Sequence, residues 1–95
     1  MDETVVGRVA AILHEAAETH HQVFRITEGA DEDWATWYAD WLVNLSELPA
    51  ALGSTPVRSE LTWALVQCGR DFASRGGEGA WEPFYARELL ERFGG

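Results

Sequence analysis

The chain has 95 residues, the length of one small domain with a single core and little spare volume. Hydrophobic residues make up 46% of it and include five Trp, which excludes a disordered chain. Sixteen Asp and Glu against seven Arg and no Lys give a net charge of −9, so no basic footprint exists for a nucleic-acid backbone or an anionic membrane.

A first helix is expected from a cap at Asp2 or Thr4 to about Ile26. Its apolar stripe is Val5, Val9, Ile12, Leu13, Ala16, His20, Val23 and Phe24, the spacing of one buried face. Gly29 suits the left-handed position that ends such a helix. Asp31 and Asp33 can then cap a second helix, about Glu32 to Leu45. That helix lays Trp34, Trp37, Tyr38, Trp41, Leu42 and Leu45 on one side. Pro49 and Gly53 break it around a short helical turn at Ala50–Leu52. Thr55-Pro56 reads as a cap followed by Pro at the first helical position. The third long helix, about Pro56 to Ala73, presents Val57, Leu61, Ala64, Leu65, Cys68 and Phe72. Gly76-Gly77-Glu78-Gly79 is a flexible polar loop. The last helix starts near Trp81-Glu82-Pro83 and presents Phe84, Tyr85, Leu89, Leu90 and Phe93. Period-two alternation is absent, so the fold is expected to be all-α.

The second half repeats the first. Trp34-x-x-Trp37-Tyr38-Ala39-x-x-Leu42-Val43 returns as Trp81-x-x-Phe84-Tyr85-Ala86-x-x-Leu89-Leu90, offset by 47 positions. The preceding helices match at an offset of 48, pairing Val9 with Val57, Leu13 with Leu61, Ala16 with Ala64 and Phe24 with Phe72. The expected architecture is a four-helix bundle-like domain of two similar hairpins, about 4–48 and 55–93, related by a pseudo-two-fold axis. Asp40 and Arg87 occupy equivalent positions with opposite charge, so the halves are not interchangeable.

Chemistry concentrates on the first helix. Glu18-x-x-His21 has the i, i+3 spacing found in di-metal carboxylate bundles, and His14, Glu18 and His21 form one row of potential metal ligands. The repeated helix offers Val66 and Gly69 at the Glu18 and His21 positions, so a second ligand set would have to come from a homodimer. Charge pairing along the helix explains the same row. His20 lies inside the apolar stripe and its counterpart is Cys68. A His and a Cys meeting across the core have the makings of a metal site or a nucleophile–base pair. A satisfied core histidine and a buried thiol are the commoner outcome. The Trp/Tyr stripe has three uses: core, dimer face, or a pocket for a planar ligand. No Ser-His-Asp spacing, glycine-rich phosphate turn or CxxC pair occurs. Lone Cys68, the acidic opening Met1-Asp2-Glu3-Thr4 and the lack of a long apolar run point to a cytoplasmic setting, without a secretory signal or a membrane span.

Glu15-x-x-x-x-His20, an acidic glycine-containing loop and Asp33-Trp34-x-x-Trp37-Tyr38-Ala39 together resemble small bacterial all-helical proteins with a D-W-x-x-W-Y-A motif. Trp81-x-x-Phe84-Tyr85-Ala86-Arg87 resembles them more loosely. The resemblance carries no reaction; it nominates Glu15, His20, Asp33, Trp34, Trp37 and Tyr38 as motif positions. The expectation is a non-enzymatic module in which Glu15 and His20 meet the aromatic face of helix two and bind a protein partner or a small planar ligand, with no cofactor. Two other readings stand beside it: a metal-dependent enzyme working as a homodimer through Glu18, His21 and His14, and a structural accessory subunit.

Overall fold

The computed structural model describes residues 3–25, 34–77 and 79–94, the side chains of residues 23–25 excepted. Five helices form among the described residues: α1 (Glu3–Arg25), α2 (Trp34–Asn44), α3 (Leu48–Leu52), α4 (Arg58–Ser74) and α5 (Trp81–Phe93). No strand occurs there, as the missing period-two signal predicts. The proposed caps at Gly29, Asp31 and Asp33 lie outside the described residues.

Packing follows the apolar stripes. α1 buries Val6, Val9, Ile12, Leu13 and Ala16 along one side. Its most extensive neighbour is α5, while α2 packs most extensively on α4. Both pairs run antiparallel. Glu3 meets Arg87 and His14 meets Glu82 on α1 and α5, while Asp40 meets Arg58 and Trp34 approaches Gly69 on α2 and α4. α3 seals the space beneath α1 and α2 with Leu48 and Leu52, which are one helical turn apart and buried. The radius of gyration is 12.8 Å. Among the described residues no polar or charged side chain is buried, so the core is held by apolar contact alone.

The helix ends explain where the structure departs from expectation. α2 stops at Asn44, where the Ser46 hydroxyl donates to the Leu42 carbonyl (2.6 Å) and accepts from the Leu48 N–H (3.1 Å). This turn starts α3 at Leu48, earlier than the expected Ala50, and leaves Leu45 72% exposed instead of buried. Gly53 ends α3 at φ 78°, donating its N–H to the Pro49 carbonyl. α4 starts at Arg58, two residues later than expected, because Val57 keeps the extended backbone (φ −69°, ψ 130°) of a helix-capping position. Val57 therefore points outward, 59% exposed, and Thr55 does not cap the helix. Pro56 precedes the helix and is buried.

At its other end α4 closes with paired bonds. The Gly76 N–H reaches the Ala73 carbonyl and the Gly77 N–H reaches the Phe72 carbonyl, both at 3.0 Å, with Gly76 left-handed at φ 94°. The start of the loop expected to be flexible is thus tied to the helix.

Candidate functional site

The α2 stripe does not pack as expected. Its fully buried side chains are the small Ala39 and Leu42, with Ala35 nearly so, while Trp34, Trp37, Tyr38 and Trp41 are half-buried along the flanks. Alanine lets neighbouring backbones approach, and the rings splay to either side.

The His20 ring enters this set. Its centroid lies 5.0 Å from Trp37, edge-on, and 5.1 Å from Tyr38. Trp34 and Trp37 meet Tyr38 edge-on at 5.8 and 5.6 Å, and Trp37 and Trp41 lie nearly parallel at 6.4 Å. Four of the nominated residues (His20, Trp34, Trp37 and Tyr38) are therefore brought together. Glu15 is exposed, and its carboxylate makes no hydrogen bond or ion pair among the described residues. Five residues rotate an α-helix by roughly 140°, which turns Glu15 away from the side that carries His20. Asp33 lies outside the described residues. Burial pushes the Tyr38 hydroxyl above its ordinary 10.0, so it is a neutral hydrogen-bonding group at physiological pH.

Of the His14, Glu18 and His21 row, His14 pairs with carboxylates on two helices. His14 Nε2 lies 3.5 Å from Glu18 Oε1, while its Nδ1 lies 2.9 Å from Glu82 Oε2 on α5. His21 is exposed. Among the described residues no three His, Cys, Asp or Glu groups converge closely enough to hold a metal ion. Glu82 had no signal in the sequence beyond a helix start, because its partner lies 68 positions away. The bond to Glu82 raises the His14 pKa above 6.5, opposed by desolvation and helped by the charges of Glu18 and Glu82. The same bond lowers Glu82 below 4.5.

The two shifts have opposite signs in pH. The imidazolium contribution is complete below about 6.5 and is lost as pH rises through the raised value; the carboxylate contribution is complete above about 4.5 and is lost as pH falls through the lowered one. The pair therefore stabilises the fold most between those limits. We expect the melting-temperature gap between wild type and His14→Gln to be wider near pH 5.5 than near pH 8, and to narrow in high salt. A gap independent of pH contradicts the pairing.

Cys68 is buried on α4, and burial, followed by the charge of Glu88, pushes its thiol up to about 12. It is protonated at neutral pH and a poor nucleophile. Among the described residues, the His20 ring meets Trp37 and Tyr38. Tyr85, the counterpart of Tyr38, is also pushed to about 12, first by burial and then by its proximity to Cys68 and Tyr38.

Cavities among the described residues lie elsewhere. One, of about 490 Å³, runs along α5 and is lined by Phe72, Arg75, Ala80, Pro83, Phe84, Arg87, Glu88 and Glu91. Another, of about 310 Å³, is bounded by Glu60, Trp63, Ala64, Arg92 and Phe93, with the Arg92 guanidinium 5.0 Å from the centroid of Trp63. Neither includes a nominated residue.

No helix among the described residues is long and apolar enough to cross a membrane. Comparison with protein-family models, with curated proteins and with solved structures finds no match.

Proposed function

We propose that the chain is a non-enzymatic recognition module whose working surface is the aromatic face of α2 together with His20, and that it docks a protein partner in the cytoplasm. The observation that carries this reading is the half-buried ring set in which His20 stands 5.0 and 5.1 Å from Trp37 and Tyr38. Such a set presents large, stiff, amphipathic area that costs little side-chain entropy to immobilise, the composition of interface anchors. With a net charge of −9, the fitting partner is basic around an apolar anchor.

The pseudo-two-fold arrangement belongs to the same reading. α1 on α5 and α2 on α4 are the two most extensive contacts, and exchanging the halves converts one into the other. Trp34–Tyr38 and Trp81–Tyr85 are both edge-on pairs, at 5.8 and 5.0 Å. Leu13 and Leu61, Ala16 and Ala64, Ala39 and Ala86, and Leu42 and Leu89 are all fully buried. A homodimer is the second reading, supported by Leu45, Val57 and Trp63, which leave large apolar surface in water; sedimentation velocity that finds monomer alone removes it.

The test is selection from a random peptide library displayed on phage, followed by titration of the synthesised winners. Enriched peptides should be basic with an apolar anchor, and Trp37→Ala and His20→Ala should each weaken them at least about tenfold, while Trp63→Ala leaves them unchanged. Cooperative melting of both variants shows that the fold survives. If no peptide is enriched, or if both variants unfold the chain, the ring set is packing and the proposal fails.

A further inference from the structure

The geometry along α5 points to a second site: we propose that the 490 Å³ groove binds a small zwitterion with a flat apolar body, the chemistry of a free aromatic amino acid. This proposal stands apart from the α2 surface. The volume falls within the roughly 300–1,000 Å³ typical of small-molecule sites.

The floor is aromatic, with Phe72 and Phe84 5.5 Å apart and tilted by 48°, and with Pro83 beside them. Above it the Arg75 Cζ lies 5.1 Å from the Phe84 centroid. The paired bonds of Gly76 and Gly77 that close α4 fix the backbone on which Arg75 sits. A guanidinium over a ring face still has N–H groups to offer, and their fork matches a carboxylate.

The charges of the lining select the ligand. The chain holds sixteen acids, yet Arg75 makes no ion pair among the described residues, and neither do Glu88 and Glu91 on the same groove. Arg87 is already engaged by Glu3 at 3.1 Å. A plain anion entering here meets Glu88, Glu91 and a chain of net charge −9; a plain cation meets two guanidiniums. A zwitterion satisfies both, its carboxylate on Arg75 and its ammonium on the Glu88 and Glu91 side, while its ring stacks on Phe72 and Phe84.

The experiment is a titration of the 15N-labelled protein with L-phenylalanine, 3-phenylpropionate (no ammonium) and phenethylamine (no carboxylate). Phenylalanine should shift the amides of Phe72, Arg75, Phe84 and Arg87 saturably, with a Kd on the order of 10⁻⁴ M. Each analogue should bind about tenfold more weakly. Arg75→Gln should weaken phenylalanine by a similar factor and leave phenethylamine unchanged, whereas Glu88→Gln combined with Glu91→Gln should spare only 3-phenylpropionate. Three results overturn the proposal: no saturable shift, 3-phenylpropionate binding as tightly as phenylalanine, or shifts confined to Trp63, Arg92 and Phe93 or to α2. Shifts confined to α2 would instead place ligand on the ring set around His20, so the two sites fail separately.

Discussion

Leu13→Ala should lower the unfolding free energy by about 3 kcal/mol, while Leu45→Ala should change it by no more than about 0.5 kcal/mol. The two substitutions remove the same atoms and differ in burial: Leu13 is fully enclosed, and Leu45 is 72% exposed. Removing buried methyl groups loses their transfer free energy and leaves a cavity that neighbours fill only in part. Leu13 sits on α1, which packs against α5, α2 and α3, so relaxation into the hole has to move several helices at once. A domain of this size is typically stable by about 5–15 kcal/mol, so the loss is a large fraction of the total and should lower Tm by more than about 10 °C. Leu13→Met, which roughly conserves volume, should recover most of it. Urea denaturation followed by Trp fluorescence measures all three variants. Equal effects of Leu13→Ala and Leu45→Ala would mean that the core is not where the helices place it.

The contrast between these leucines also shows how far the sequence was legible. α1, α2, α4 and α5 follow from apolar residues recurring at 3.6-residue spacing, and the long interiors of these helices lie where that spacing put them. Errors fall at helix ends, where the phase stops applying. Leu45 and Val57 were assigned to buried stripes by extrapolating a period beyond the last and first helical residues, and both emerge exposed. On α2 the large rings drew attention and the alanines did not, although Ala39, not Trp37, is fully buried.

The candidate site divides along the same line. His20 with Trp37 and Tyr38 was legible because all three belong to apolar stripes that must face one another. Glu15 was nominated through a motif, but the five-residue spacing turns it to another side of α1. The His14–Glu82 pair joins groups 68 positions apart, and the α5 groove depends on how α4 and α5 dock. Arg75, at the end of α4 where its own N–H and those of Gly76 and Gly77 bond back to the helix, reaches the Phe84 ring of α5. Local periodicity holds no information about such meetings; they follow from how the helices dock.

Ala39→Leu should cost about 1–3 kcal/mol despite adding hydrophobic surface. Alanine and leucine are both strong helix formers, so intrinsic propensity hardly changes and the loss has to come from packing. Ala39 is fully buried on the side of α2 that carries Ala35 and Leu42, in the helix that packs most extensively on α4. Ala64 of α4 is fully buried too, the small-residue pattern that close helix approach requires. Three extra carbons at position 39 force the helices apart or the side chain out of its preferred rotamer. Because Trp37 and Tyr38 are anchored on the same turn, the displacement should also reach their spacing to His20, 5.0 and 5.1 Å in the native fold. Chemical denaturation measures the cost, and the indole N–H signals of Trp34, Trp37 and Trp41 report the movement. Ala11→Leu, on the exposed side of α1, is the control and should stay within about 0.5 kcal/mol of wild type. Ala86→Leu should resemble Ala39→Leu, as expected if the halves pack by one rule; an Ala39→Leu variant as stable as Ala11→Leu would show that the aromatic face does not depend on close helix approach.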